Sequence, residues 1–66
     1  MRVGVVAVFD ADAGFGTVRD DDGKEHFFHC TRIADGTRTI AEGIRVAFIL
    51  EPGHRGRWEA TRVVPV

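Results

Sequence analysis

One cysteine, one lysine and no long apolar run set the first limits on this chain. Cys30 has no partner for an internal disulfide, so the fold has to hold through its core alone, in keeping with a reducing compartment. No stretch is long and apolar enough to span a membrane, and the opening MRVGVVAVFD lacks the layout of a signal peptide. A soluble, cytoplasmic protein is the expectation. Nine basic residues, of which only Lys24 is a lysine, stand against ten acidic ones, for a formal net charge of -1. A protein whose affinity came mainly from neutralising phosphates would be more basic overall, so any nucleic-acid binding must rest on a local patch. Repeats, linkers and low-complexity tracts are absent too, and 66 residues leave room for one domain, spanning 1–66, with little space for an enclosed pocket.

What is present is punctuation. Turn signals recur at DADAGFG (10–16), DDDGK (20–24), ADGT (34–37), EG (42–43) and PGHRG (52–56). Between them lie VGVVAVF (3–9), FGTVR (15–19), EHFFHC (25–30), IRVAFILE (44–51) and RWEATRVV (57–64), all rich in β-branched or aromatic residues. Five short strands and no long helix follow. The fourth run alternates cleanly, with Ile44, Val46, Phe48 and Leu50 on the core side and Arg45, Ala47 and Ile49 opposite. Asp22-Gly23 is placed to join the second and third strands as a hairpin, so the first three strands form a meander and residues 31–42 cross to the fourth. Five strands in so short a chain protect their edges by closing, which predicts an all-β, five-stranded antiparallel barrel of OB or SH3-like type.

The same alternation assigns surfaces. Phe15 and Thr17 share one face of strand two with Val18 opposite; Phe27 and His29 share one face of strand three with His26 and Phe28 opposite. Side by side in a meander, Phe15, Phe27 and His29 make a platform of two phenyl rings and an imidazole. Such a surface stacks unpaired bases of any sequence, whereas two phenylalanines in strands are otherwise ordinary core residues. The glycines on either side of Phe15 favour exposure, because they cover their neighbour with no side chain.

Other chemistry fits poorly. His26, His29 and Cys30 lie close in sequence, but on a strand the two histidines point to opposite faces and no second pair stands at zinc spacing. No metal or other cofactor is expected. Asp20-Asp21-Asp22 reads as a solvated turn with Gly23 supplying a positive backbone angle. Cys30 beside His29 diverges from it along the strand and lacks a third orienting group, so neither feature argues for an enzyme.

GVVAVFDADAGFGTV, EHFFHCTRI and GTRTIAEGIRVAF together resemble the cold-shock domain, whose pattern is close to GxVKWFNxxKGFGFI, VFVHFSAI and GFKTLxEGxxVxF. Gly4, Val6, Phe9, Gly14, Phe15, Gly16 and Val18 match in the first block, Phe27, His29 and Ile33 in the second, and Gly36, Thr39, Glu42, Gly43, Val46 and Phe48 in the third. The resemblance implies an OB-type barrel that binds single-stranded RNA or DNA without catalysis. It makes Phe15, Phe27 and His29 the stacking residues, with Phe9 beside them, and Arg55 a contact to the nucleic-acid backbone. It also implies a weakened site: Val8, Thr17, Cys30 and Thr37 stand at aromatic positions and Ala7 and Ala13 at lysine positions. Trp58, just after the basic loop residues His54, Arg55 and Arg57, compensates if it stacks at the rim and does not if it packs over the barrel end. The alternative function is a protein-protein or self-association module, a homodimer or a protein partner using the smaller, more aliphatic surface.

Overall fold

The computed structural model describes the backbone of residues 1–66 and every side chain except that of His54, which lies outside the described residues. Five strands form in the expected order: β1 (Arg2–Asp10), β2 (Phe15–Asp20), β3 (Glu25–His29), β4 (Arg45–Pro52) and β5 (Trp58–Pro65). Cys30 leaves the third strand and opens a short 3-10 turn, Cys30–Arg32. The sheet closes as a barrel in the order β1-β2-β3-β5-β4. All neighbours are antiparallel except at the closing seam, where Phe27 of β3 pairs in parallel with Glu59 of β5. Ile33 adds a parallel bridge to Val63 just beyond it.

Closure removes the exposed edges and turns one face of every strand into a single core. Val6, Val18, Phe28, Val46, Phe48 and Val63 have essentially no exposure, and Ile33 and Ala60 complete the cluster. The alternation expected in the fourth run holds for Val46 and Phe48, which point inward with Ile44 and Leu50 packed against the same cluster, but Ala47, expected on the opposite face, is buried as well, beside a register shift towards β5 between Ala47 and Ile49.

Two local devices shape the surface. At Ala7 the β1–β2 register slips, with Val6 opposite Val18 but Val8 opposite Thr17. One extra residue reverses the alternation beyond it, so Val8 is half-exposed while Phe9 turns inward and stacks on Phe28 at 5.9 Å and 11°. The carboxylate of Glu42 accepts the Phe9 N–H at 2.9 Å and fixes this bend. Gly16 lets β2 approach it, since a Cβ there would collide with the Val8 carbonyl. The glycine therefore serves a close strand contact as well as leaving Phe15 uncovered.

The second device is the β2–β3 turn, where the structure departs from a fully solvated acidic run. Asp21 and Asp22 are exposed, but Asp20 keeps only 5% of its surface. Its Oδ1 accepts the N–H groups of Asp22 at 2.9 Å and Lys24 at 3.0 Å, and its Oδ2 meets His26 Nε2 at 2.7 Å. Gly23 takes the positive φ of 88° and donates to the Asp20 carbonyl. A carboxylate with so many donors explains why an inward-facing histidine is tolerated at position 26: it has a partner, and its ring lies 5.8 Å from that of Phe48.

Candidate nucleic-acid interface

The pairing of β2 with β3 sets the outer surface of the barrel. Phe15 lies opposite His29, Thr17 opposite Phe27 and Arg19 opposite Glu25, so these six side chains form two rows on one face. Phe15 is 42% exposed, an unusual state for a phenylalanine in a domain short of core residues. Its ring stands 5.4 Å from that of Phe27 at an interplanar angle of 35°. Phe27 meets His29 edge to face at 4.9 Å and 88°. Three rings are thus in continuous contact on the solvent side, while Phe28 between them points into the core.

Beyond the platform, towards the seam, lies an open groove of about 660 Å³. Phe27 and His29 form part of its lining, and Trp58 stands among its residues with 60% of its surface exposed. Trp58 is therefore available for contact, not packed away beneath the barrel end. Arg55 and Arg57 bring two guanidinium groups to the same groove. Arg55 reaches it from a short 3-10 turn, His54–Gly56, in which its own φ is 59°.

Of the residues expected from sequence, Phe15, Phe27 and His29 are joined by ring contacts, and Arg55, Arg57 and Trp58 share the groove with the last two. Phe9 makes no ring contact with that trio: half-buried beyond the bulge at Ala7, it stacks on Phe28. The substituted positions behave differently from one another. Thr37 is occupied by its own loop, with Oγ1 donating to Asp35 at 2.8 Å. Cys30 packs against the core, and Val8 lies 52% exposed. Thr17 sits opposite Phe27 with its hydroxyl oxygen buried and without a hydrogen-bond partner among the described residues.

Sequence reasoning missed two members of the groove, Glu25 and Glu59. Glu25 was legible, because two-residue spacing puts it on the face of Phe27 and His29. Glu59 was not, since its place depends on the parallel seam. It is 8% exposed and lies against Gly53, where a Cβ would overlap its side chain. Glu25 is paired with Arg19 at 3.5 Å, with both side chains about half exposed.

One titrating group stands out at the β2–β3 turn. The hydrogen bond from His26, together with those from the Lys24 and Asp22 N–H groups, holds the Asp20 carboxyl below its ordinary value against the opposing effect of burial.

Comparison with known proteins agrees with this architecture. Residues 2–66 match the family described as the 'Cold-shock' DNA-binding domain. Cold shock protein 2 of Lactiplantibacillus plantarum is 42% identical over 66 residues, covering 98% of each chain. The major cold shock protein of Streptococcus pyogenes is 40% identical over 57 residues, covering 85% of each. Among solved structures, Drosophila Unr CSD456 superposes with a TM-score of 0.80 at 27% identity, covering 98% of this chain and 26% of that one. The closed five-stranded barrel, the aromatic face and these matches agree: the chain belongs to the cold-shock domain family.

Proposed function

We propose that this protein binds unpaired RNA or DNA by stacking bases on Phe15, Phe27 and His29, with reduced affinity compared with family members that carry a full aromatic set. Family membership makes the chain a nucleic-acid-binding protein and not an enzyme. The observation that carries the finer reading is the exposed, continuous ring surface from Phe15 through Phe27 to His29. A polar solvent-facing side chain would cost the fold little at position 15, so a ring left 42% in water is explained by something that covers it.

Arg55, Arg57 and Trp58 add contacts at the groove, the arginines to phosphates and the indole to a base. Phe9 buttresses these residues through its stack on Phe28. The reduction in affinity follows from Val8, Thr17, Cys30 and Thr37, none of which offers a ring. Each base-aromatic stack contributes roughly 1–3 kcal/mol, so even a heavily discounted sum over four positions amounts to several powers of ten.

A titration in low salt tests the reading, following Trp58 fluorescence alongside anisotropy of labelled single strands of RNA and DNA. Saturable binding with a change in the indole signal is expected. No binding to mixed or pyrimidine-rich strands at high micromolar protein would remove the proposal and leave the smaller surface as a protein-binding face.

A further inference from the structure

The groove beside the platform carries an apparent contradiction. It faces a polyanion, yet two of its charged side chains, Glu25 and Glu59, are carboxylates that balance Arg55 and Arg57. A carboxylate turned towards a nucleic acid repels phosphates, and it becomes favourable only where a base offers it hydrogen-bond donors. Glu59 is one of the residues that line the groove. It is the strand partner of Phe27 across the parallel seam, so it stands at the lateral edge of the surface on which a base stacked on Phe27 would lie. It follows Trp58 directly in the chain. Its side chain is buried and packed over Gly53, whose lack of a Cβ leaves the space it occupies. Gly53 is itself pinned by donating to the Arg57 carbonyl, so the loop holds the carboxylate in place. An acceptor fixed before binding loses little freedom on contact.

The bases differ in what they present to such a group. Guanine alone has two neighbouring donors on its Watson–Crick edge, the N1–H and the N2 amino group, which match the two oxygens of one carboxylate. Uracil and thymine offer a single N–H between two carbonyl oxygens. Cytosine and adenine offer one amino group beside a ring nitrogen that accepts. For these three patterns the carboxylate gains one hydrogen bond at most and meets a like-charged acceptor beside it. A carboxylate has room for several donors, so an existing protein contact to Glu59 is compatible with this role.

We infer that Glu59 makes the groove between Phe27 and Trp58 a guanine-selective subsite. The inference rests on the stacking function proposed above and deepens it by naming the base that this position takes. Discrimination of this type is worth roughly 5- to 150-fold in affinity.

The test uses short labelled oligouridylates carrying one central guanosine, inosine or 7-deazaguanosine, with the all-uridine strand as reference. The guanosine strand is expected to bind at least about 5-fold more tightly than the reference. Inosine, which lacks the N2 amino group, should lose most of that advantage, while 7-deazaguanosine, altered on the other edge, should keep it. Glu59→Gln should bring the guanosine strand close to the reference, with circular dichroism showing that the barrel persists. If the variant fails to fold, the inosine comparison decides alone. Equal binding of the guanosine and all-uridine strands overturns guanine selection but leaves nucleic-acid binding intact, as does inosine matching guanosine. Absence of binding by every strand overturns both.

Discussion

Replacing Phe15 by alanine separates the two tasks an aromatic residue in a strand can perform. The ring is 42% exposed, and the one aromatic neighbour it meets among the described residues is Phe27, at 5.4 Å. An aromatic pair contributes about 0.5–1.5 kcal/mol beyond area burial, which sets the scale of the folding cost. Phe28 is the internal comparison: it is one residue from Phe27, wholly buried and stacked on Phe9, so Phe28→Ala should cost about 3–5 kcal/mol. That is comparable to the whole stability a core of this size supplies, about 3–5 kcal/mol. Phe15→Ala should therefore stay folded where Phe28→Ala does not. Its effect on binding should be the loss of one base stack, about 1–3 kcal/mol, or roughly 5- to 150-fold in Kd. Thermal unfolding by circular dichroism and anisotropy titration of one labelled single strand measure the two quantities on the same samples. A Phe15→Ala protein that unfolds like Phe28→Ala would place the ring in the core. One that folds and binds as tightly as the parent would remove it from the interface.

Three further outcomes follow from the geometry. Thr17→Phe restores a ring opposite Phe27 and removes a buried hydroxyl without a partner, so affinity for single strands should rise by roughly 5-fold or more with no loss of fold; unchanged affinity would show that position 17 lies off the binding track. Salt dependence should be shallow, because Arg55 and Arg57 are the two cations of the groove among the described residues: log Kobs against log salt should have a slope near -1.4, falling by about 0.7 with either arginine changed to alanine, and a much steeper slope would mean that other cations carry the contact. The lowered carboxyl of Asp20 contributes stability that is fully present above the ordinary aspartate value of about 3.9 and disappears as pH falls through its lower folded value. Urea unfolding of the parent should weaken across that acid range, and Asp20→Asn should be less stable at neutral pH with a flatter acid dependence; parallel pH curves would refute the link.

How far the sequence carried this account depended on whether a local rule governed each residue. Phe15, Phe27 and His29 obey strict two-residue alternation along undistorted stretches of β2 and β3, so their shared face could be read directly. Phe9 broke the pattern because a single-residue bulge at Ala7 reversed the faces beyond it, and no turn residue marks that bulge. Its latch, Glu42, matched the family pattern, but its bond to the Phe9 N–H spans 33 residues and exists only in the fold. Asp20 looked like its two exposed neighbours, since composition cannot tell which carboxylate of three turns back to clasp the hairpin. Trp58 and Glu59 were undecided or unseen for another reason. Their surroundings are set by closure of β3 on β5, a long-range contact for which alternation in either strand gives no register.

The proposed interface is defined by where a ligand touches the barrel. Amide chemical-shift mapping of the isotopically labelled protein during titration with a short single-stranded RNA measures this. Shifts should cluster on Phe15, Thr17, Phe27 and His29 and on Arg55 to Glu59, with Arg2, Asp21 and Arg45 unmoved. Shifts centred on that second group, or none at saturating RNA, would contradict the proposed interface.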